Sequence, residues 1–159
     1  MVNSIVLIRQ SRKNFLSLMN SLTDTELNII PACYNNNIIW NAAHTITTIQ
    51  ILCYKNAGLE GYIDNEFVAL YRKGTHPEVE VTGPEIQVIK KKMLNSIDQL
   101  ERDYKAGLFR TYNNYTTSFG IEIKSIDEAI QFLVIHEGIH LGYAMALKRL
   151  VNIAKGSMH

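Results

Sequence analysis

The chain has 159 residues, long enough for one domain that buries about two-thirds of its unfolded surface without covalent staples. Apolar residues make up 47% and charged residues 19%, a globular composition that sets aside a disordered chain and a membrane protein. A net charge of +1 offers no concentrated basic surface for nucleic acid, and Lys90-Lys91-Lys92 reads as a solvated helix face.

The first helix is expected from Ser4 to Leu22, on Ile5, Ile8, Phe15, Leu18, Met19 and Leu22, with Arg12 interrupting the stripe. Thr23-Asp24-Thr25-Glu26 spells a capping box that starts a short helical turn ended by Pro31. Asn35-Asn36-Asn37 then supplies caps for a second helix, Ile38 to Asn56, closed by Ala57-Gly58. That helix is apolar over much of its circumference, which predicts burial on more than one side. Its uncharged stretch, Ile38 to Tyr54, carries Asn41, His44 and Gln50 and so reads as a core helix, not a membrane span.

Residues 59–83 show no sustained period and read as a long crossover, which lets a bundle set its second and third helices parallel. Pro84 at a first helical position opens the third helix, with Ile86, Ile89, Met93, Ile97, Leu100 and Tyr104 as its seam. Residues 107–124 are a connection with strand-like alternation at Phe119, Ile121 and Ile123. Ser125-Ile126-Asp127-Glu128 is a second capping box, launching a fourth helix from Ile126 to Asn152. The expected fold is all-α, a four-helix bundle with one domain over residues 1–155 and a tail at 156–159.

The N-terminus lacks the basic segment and apolar run of a secretory signal, so a cytoplasmic protein is expected. Cys33 and Cys53 are too few for a disulfide framework or a cysteine zinc site, and both read as reduced core thiols.

His136-Glu137-Gly138-Ile139-His140 is the most informative segment, because histidines four apart project from one helix face and can bind one ion together. It also spells the zinc-protease signature, in which the glutamate activates water. A third protease ligand from downstream is missing: no Asp or Glu follows His140, and Tyr143 stands where an extended motif needs glycine. The third ligand must come from upstream, and His44 is the natural choice, in mid-helix one turn after Trp40. At about 100° per residue Tyr143 shares the stripe of His136 and His140, whereas Cys53 falls opposite His44 and is no ligand. Tyr143 is thus a candidate substrate-contacting hydroxyl or a buried ring at the bundle end. Glu137 is a candidate general base, a partner of a histidine N–H, or a surface charge.

The order of these elements, the Trp40-to-His44 segment, and Phe119-Gly120 leading through Ser125 into His136-Glu137-Gly138-Ile139-His140-Leu141-Gly142 resemble the DinB-like or YfiT-like superfamily over almost the whole chain. The resemblance implies a bundle with a long crossover, a three-histidine site for zinc, nickel or a similar divalent ion, and a homodimer. It further implies a metal-dependent transferase acting with a low-molecular-weight thiol such as bacillithiol or mycothiol, or a related isomerase. Where the commoner family ending places further His, Arg and Gln residues, this chain has Leu141-Gly142-Tyr143.

Two functional readings follow. In a metal-dependent transferase, His44, His136 and His140 are ligands, Glu137 or Tyr143 assists, and open positions activate a thiol, or water in a hydrolase. In a non-catalytic bundle, a dimer scaffold or a small-molecule sensor, the metal is absent or structural. A closed structural site normally has four protein ligands, and three are found.

Overall fold

The computed structural model describes residues 2–156. Residues 157–159, and with them His159 and most of the expected tail, lie outside that range; Gly156, assigned to the tail, still belongs to the last helix.

Four long helices form the bundle expected from the sequence: α1 (Val2–Asn20), α3 (Ile38–Ile49), α5 (Gly83–Lys105) and α6 (Ile126–Gly156). Two short ones, α2 (Asp24–Asn28) and α4 (Asn65–Tyr71), decorate it. α1 and α3 each pack against both α5 and α6, so α1 and α3 stand at opposite corners. The core follows a three-four spacing on each helix: Ile5, Ile8, Phe15 and Met19 on α1; Ile86, Ile89, Met93, Ile97 and Leu100 on α5; Ile130, Leu133, Ala144, Leu147 and Val151 on α6. Every residue of α3 is buried, which places it in the interior and answers its apolar circumference.

The cap signals act as expected at two sites. Thr23 and Glu26 close a reciprocal box at α2, and Gly58 ends the second long helix in the left-handed region at φ 71°. α5 begins at Gly83, one residue before Pro84, because Thr82 and Glu85 form a further capping box. At α6 only half of the expected box forms: Ser125 Oγ accepts from the Glu128 N–H, while the Glu128 carboxylate accepts from the Lys124 N–H.

Several expectations need correction. The crossover contains α4, capped by the Asp64 side chain; seven residues are too few to show a period. The second long helix is not uniform to its end: past Ile49 it loosens into a π-turn, Gln50–Tyr54, and tightens into a 3-10 turn, Lys55–Ala57. There Gly61 passes so close that a Cβ would lie 2.1 Å from Gln50 Oε1, which accepts from the Tyr62 N–H. The strand-like segment is a small antiparallel pair, β1 (Tyr115–Thr116) with β2 (Glu122–Ile123), whose turn leaves Phe119 and Ile121 exposed. Cys53 is buried as expected, but Cys33 is exposed in a turn at φ 69°, where a polar loop outweighs the thiol's preference for the core.

By length and composition alone, residues Ile126–Ala154 are long and apolar enough to cross a membrane. In the bundle this helix packs one stripe against α1 and α3 and leaves Ile135, Ile139, Met145 and Ile153 exposed on the other side.

Candidate metal centre

The centre is built where α3 faces α6. Asn37 caps α3, its side-chain oxygen accepting from the Trp40 N–H at 2.9 Å, and this sets Trp40, Asn41, His44 and Thr48 at helical spacings of one, three and four residues. Because α3 is enclosed, His44 has no route to bulk water except past its neighbours; it is 8% exposed. On α6, His136 and His140 lie one turn apart on the side turned toward α3, half-buried. One ligand atom from each of the three imidazoles falls within 4.8 Å of the others. Their ring centroids are separated by 5.2 Å (His44–His136), 4.7 Å (His44–His140) and 4.4 Å (His136–His140).

Hydrogen bonds to the outer nitrogens decide which lone pairs are free. His44 Nδ1 lies 2.7 Å from the Tyr71 carbonyl oxygen. A carbonyl only accepts, so Nδ1 carries the proton and Nε2 keeps its lone pair. His140 Nδ1 lies 2.8 Å from Asn41 Oδ1. The orientation of that amide is set on its other side, where Asn41 Nδ2 donates to the Asn37 carbonyl at 2.8 Å. His140 is therefore also protonated at Nδ1 with a free Nε2. The Thr48 hydroxyl donates to the His44 carbonyl at 2.9 Å and lies 3.3 Å from His44 Nε2 and 3.5 Å from His136 Nε2. His136 Nδ1 is buried without a hydrogen-bond partner. Trp40 stacks on His44 at 4.8 Å and 9°, fixing the plane of the ring.

Burial keeps these rings neutral. It lowers the pKa of His44, against a smaller opposing effect of the Tyr71 carbonyl. Burial, then the neighbouring His140 and His44 and the Arg12 charge, bring His136 down to about 2; burial and His44 bring His140 down to about 3. Three neutral imidazoles with unprotonated nitrogens turned together are the donor set of a divalent ion. His44, His136 and His140 would hold such an ion through these nitrogens. Three protein ligands leave coordination positions open to a small molecule. The residues present fit the ion: His44 and His140 keep free Nε2 lone pairs, and among the described residues the buried His136 Nδ1 finds no partner.

Glu137 is not at the surface. Arg12 and Glu137 are both completely buried, and Arg12 Nη2 and Nε both donate to Glu137 Oε1, at 2.7 and 3.0 Å. The remaining guanidinium donors go to the Met93 carbonyl (2.7 Å), Ser96 Oγ (2.5 Å) and the Thr45 carbonyl (2.8 Å), so all five N–H groups are satisfied. This layer ties α1, α3, α5 and α6 together one residue from the first metal-facing histidine. Glu137 Oε2 has no partner. Tyr143, half-buried, meets Tyr34 edge-on at 5.5 Å, and burial raises its phenol pKa, so it remains a donor at neutral pH.

Sequence reasoning brings together His44, His136 and His140 and misses their supports. Asn41, three residues before His44 on a helix with no other amide facing α6, carried a readable signal. The Tyr71 carbonyl, a backbone atom on α4, carried none.

A family model described as the DinB superfamily matches residues 7–144. Among curated proteins, nothing matches.

Proposed function

The chain belongs to the DinB superfamily, and on that premise we propose that His44, His136 and His140 hold one divalent ion, zinc or nickel, in a metal-dependent transferase whose nucleophile is a low-molecular-weight thiol. The observation that carries this reading is the fixed tautomer of His44 and His140: Tyr71 and Asn41 take both Nδ1 protons and leave Nε2 lone pairs pointing into a cluster with three ligands, not four. When bound, the ion supplies Lewis acidity that lowers the pKa of a thiol presented at an open position.

The chain's own residues hold and orient. Trp40 and the Tyr71 carbonyl fix His44, Asn41 fixes His140, and burial keeps all three rings neutral near neutral pH. In this reading Glu137 is a positioning residue, anchored by Arg12 so that the α6 turn carrying both histidines faces α3. Tyr143, protonated and one turn past His140, donates to the substrate at the rim. In the transfer the thiol sulfur bonds to an electrophilic carbon, the thiol proton passes to solvent buffer, and the leaving group departs with its bonding pair.

A second copy of the chain fits the outer face of α6, where Ile135, Ile139 and Met145 are exposed and a Cβ on Gly138 or Gly142 would meet nothing within 4 Å. Sedimentation should give a dimer that Met145→Glu dissociates.

The test of activity is consumption of an alkylating electrophile with a thiol by zinc- or nickel-loaded protein. Thiol-dependent turnover that falls at least a hundredfold in His140→Ala supports the transferase. Loaded protein without turnover of any thiol would leave a metal-binding bundle that is not catalytic.

A further inference from the structure

A second concave site lies against Trp40 and Tyr71, between the start of α3, α4, residues 72–82 and the first turns of α5. Its volume is about 450 Å³, within the range of small-molecule sites, and none of the three metal-facing imidazoles is in its wall. The wall is aromatic and branched, with Trp40, Phe67, Tyr71, Val81 and Ile89. The rim also carries apolar side chains turned to solvent: Leu70 is 59% exposed, Val79 76% and Val88 51%. A cluster of exposed apolar groups around a cavity marks a surface that gains by being covered.

Acidic groups predominate at this rim. Glu78, Glu80 and Glu85 line the cavity beside His76, and among the described residues no lysine or arginine does. The Glu85 carboxyl is held below the usual carboxylate range by hydrogen bonds from Thr82, so it is ionised at neutral pH. Among the described residues neither Glu78 nor Glu80 forms an ion pair. An anion entering here meets three carboxylates; an ammonium group meets carboxylates and aromatic faces together.

We propose that this cavity binds a small organic ammonium ion with an apolar body. The apolar part fills the space against Trp40, Tyr71, Val81 and Ile89, and the ammonium lies at the rim among Glu78, Glu80 and Glu85. The assignment does not depend on whether the histidines hold an ion, because no part of the wall is a metal-facing imidazole. It does place the occupant against Trp40 and Tyr71, the two residues that orient His44.

Trp40 is the only tryptophan in the chain, so its fluorescence reports the cavity directly. Full-length protein in chelator is titrated with 2-phenylethylammonium and hexyltrimethylammonium, then with phenylacetate and 2-phenylethanol as anionic and neutral counterparts. The proposal expects a saturable change in Trp40 emission with both ammonium probes, at affinities about tenfold or more above the two counterparts. The Glu78→Gln, Glu80→Gln double variant, in exposed loop positions, should keep its melting temperature and lose that preference. Equal binding of the neutral and cationic probes would overturn the assignment in favour of an unselective apolar pocket. No saturable response to either ammonium probe would overturn it outright. Because metal is excluded throughout, these outcomes are separate from those that decide the transferase reading.

Discussion

Two polar layers lie side by side in this bundle, within one turn of α6, and they are solved in opposite ways. In the Arg12–Glu137 layer opposite charges meet and all five guanidinium donors are engaged, with Glu137 Oε2 left unpartnered among the described residues. The histidine layer is held from outside at His44 by Tyr71 and at His140 by Asn41 but is open within, and among the described residues the donor near its Nε2 lone pairs is the already committed Thr48 hydroxyl. Burying polar groups without partners costs about 1–3 kcal/mol each. A layer whose opposite charges pair with each other is structural; a layer that fixes two rings from outside and leaves their Nε2 lone pairs idle is arranged for a guest.

That contrast is tested hardest by breaking the closed layer. Glu137→Ala leaves a buried guanidinium uncompensated and should cost about 3–5 kcal/mol by denaturant unfolding, whereas replacing both partners, Arg12→Met with Glu137→Leu, should recover most of it. If Glu137→Ala unfolds like the parent, the layer is not the structural element described.

The open layer should show itself in pH. The folded-state pKa values of His136 and His140 lie below the unfolded value near 6.5, so the unfolded chain binds more protons in the acid range and stability falls with pH. Metal-free protein should keep full histidine-linked stability above about pH 6.5 and lose it progressively toward pH 3, by at most about 1.4 kcal/mol per pH unit for each ring. Urea melts at pH 7 and 5 measure the slope, and His136→Ala with His140→Ala should flatten it. A slope unchanged by those substitutions would assign the acid sensitivity to other groups.

Smaller effects separate the supports. Asn41→Ala should weaken zinc binding about 10–100-fold by freeing the His140 ring, with little change in fold. Thr48→Val removes a hydroxyl already spent on the His44 carbonyl and should cost only about 1 kcal/mol of stability, with a smaller loss of zinc affinity than Asn41→Ala. A reversed order of these two variants would make Thr48 the residue that shapes the centre.

Much of this was legible before any coordinates. The bundle follows from four amphipathic repeats, and the histidine triad from spacing on α6 plus one imidazole in an apolar helix. The closed layer was missed, with Arg12 read as an interruption and Glu137 as a base, a histidine partner or a surface charge, yet its signal was present. Arg12 sits on the 5-8-12-15-19 repeat of α1, Ser96 on 86-89-93-96-100 of α5 and Glu137 on 130-133-137-140-144 of α6, so all three polar residues occupy core positions. Opposite charges at core positions of two helices have to find each other. The π-turn, the α4 helix and the Tyr71 carbonyl were not legible, because short elements have no period and a backbone oxygen has no residue type. Exposed Cys33 shows the same limit, since a local turn decided its place.

The account rests most directly on metal content. Full-length protein purified without chelating resin should carry close to one zinc or nickel ion per chain by mass spectrometry, and His44→Ala, His136→Ala and His140→Ala should each lose most of it while staying folded. A parent protein that holds no ion and takes up neither added zinc nor added nickel would contradict the claim that these three histidines are a metal centre.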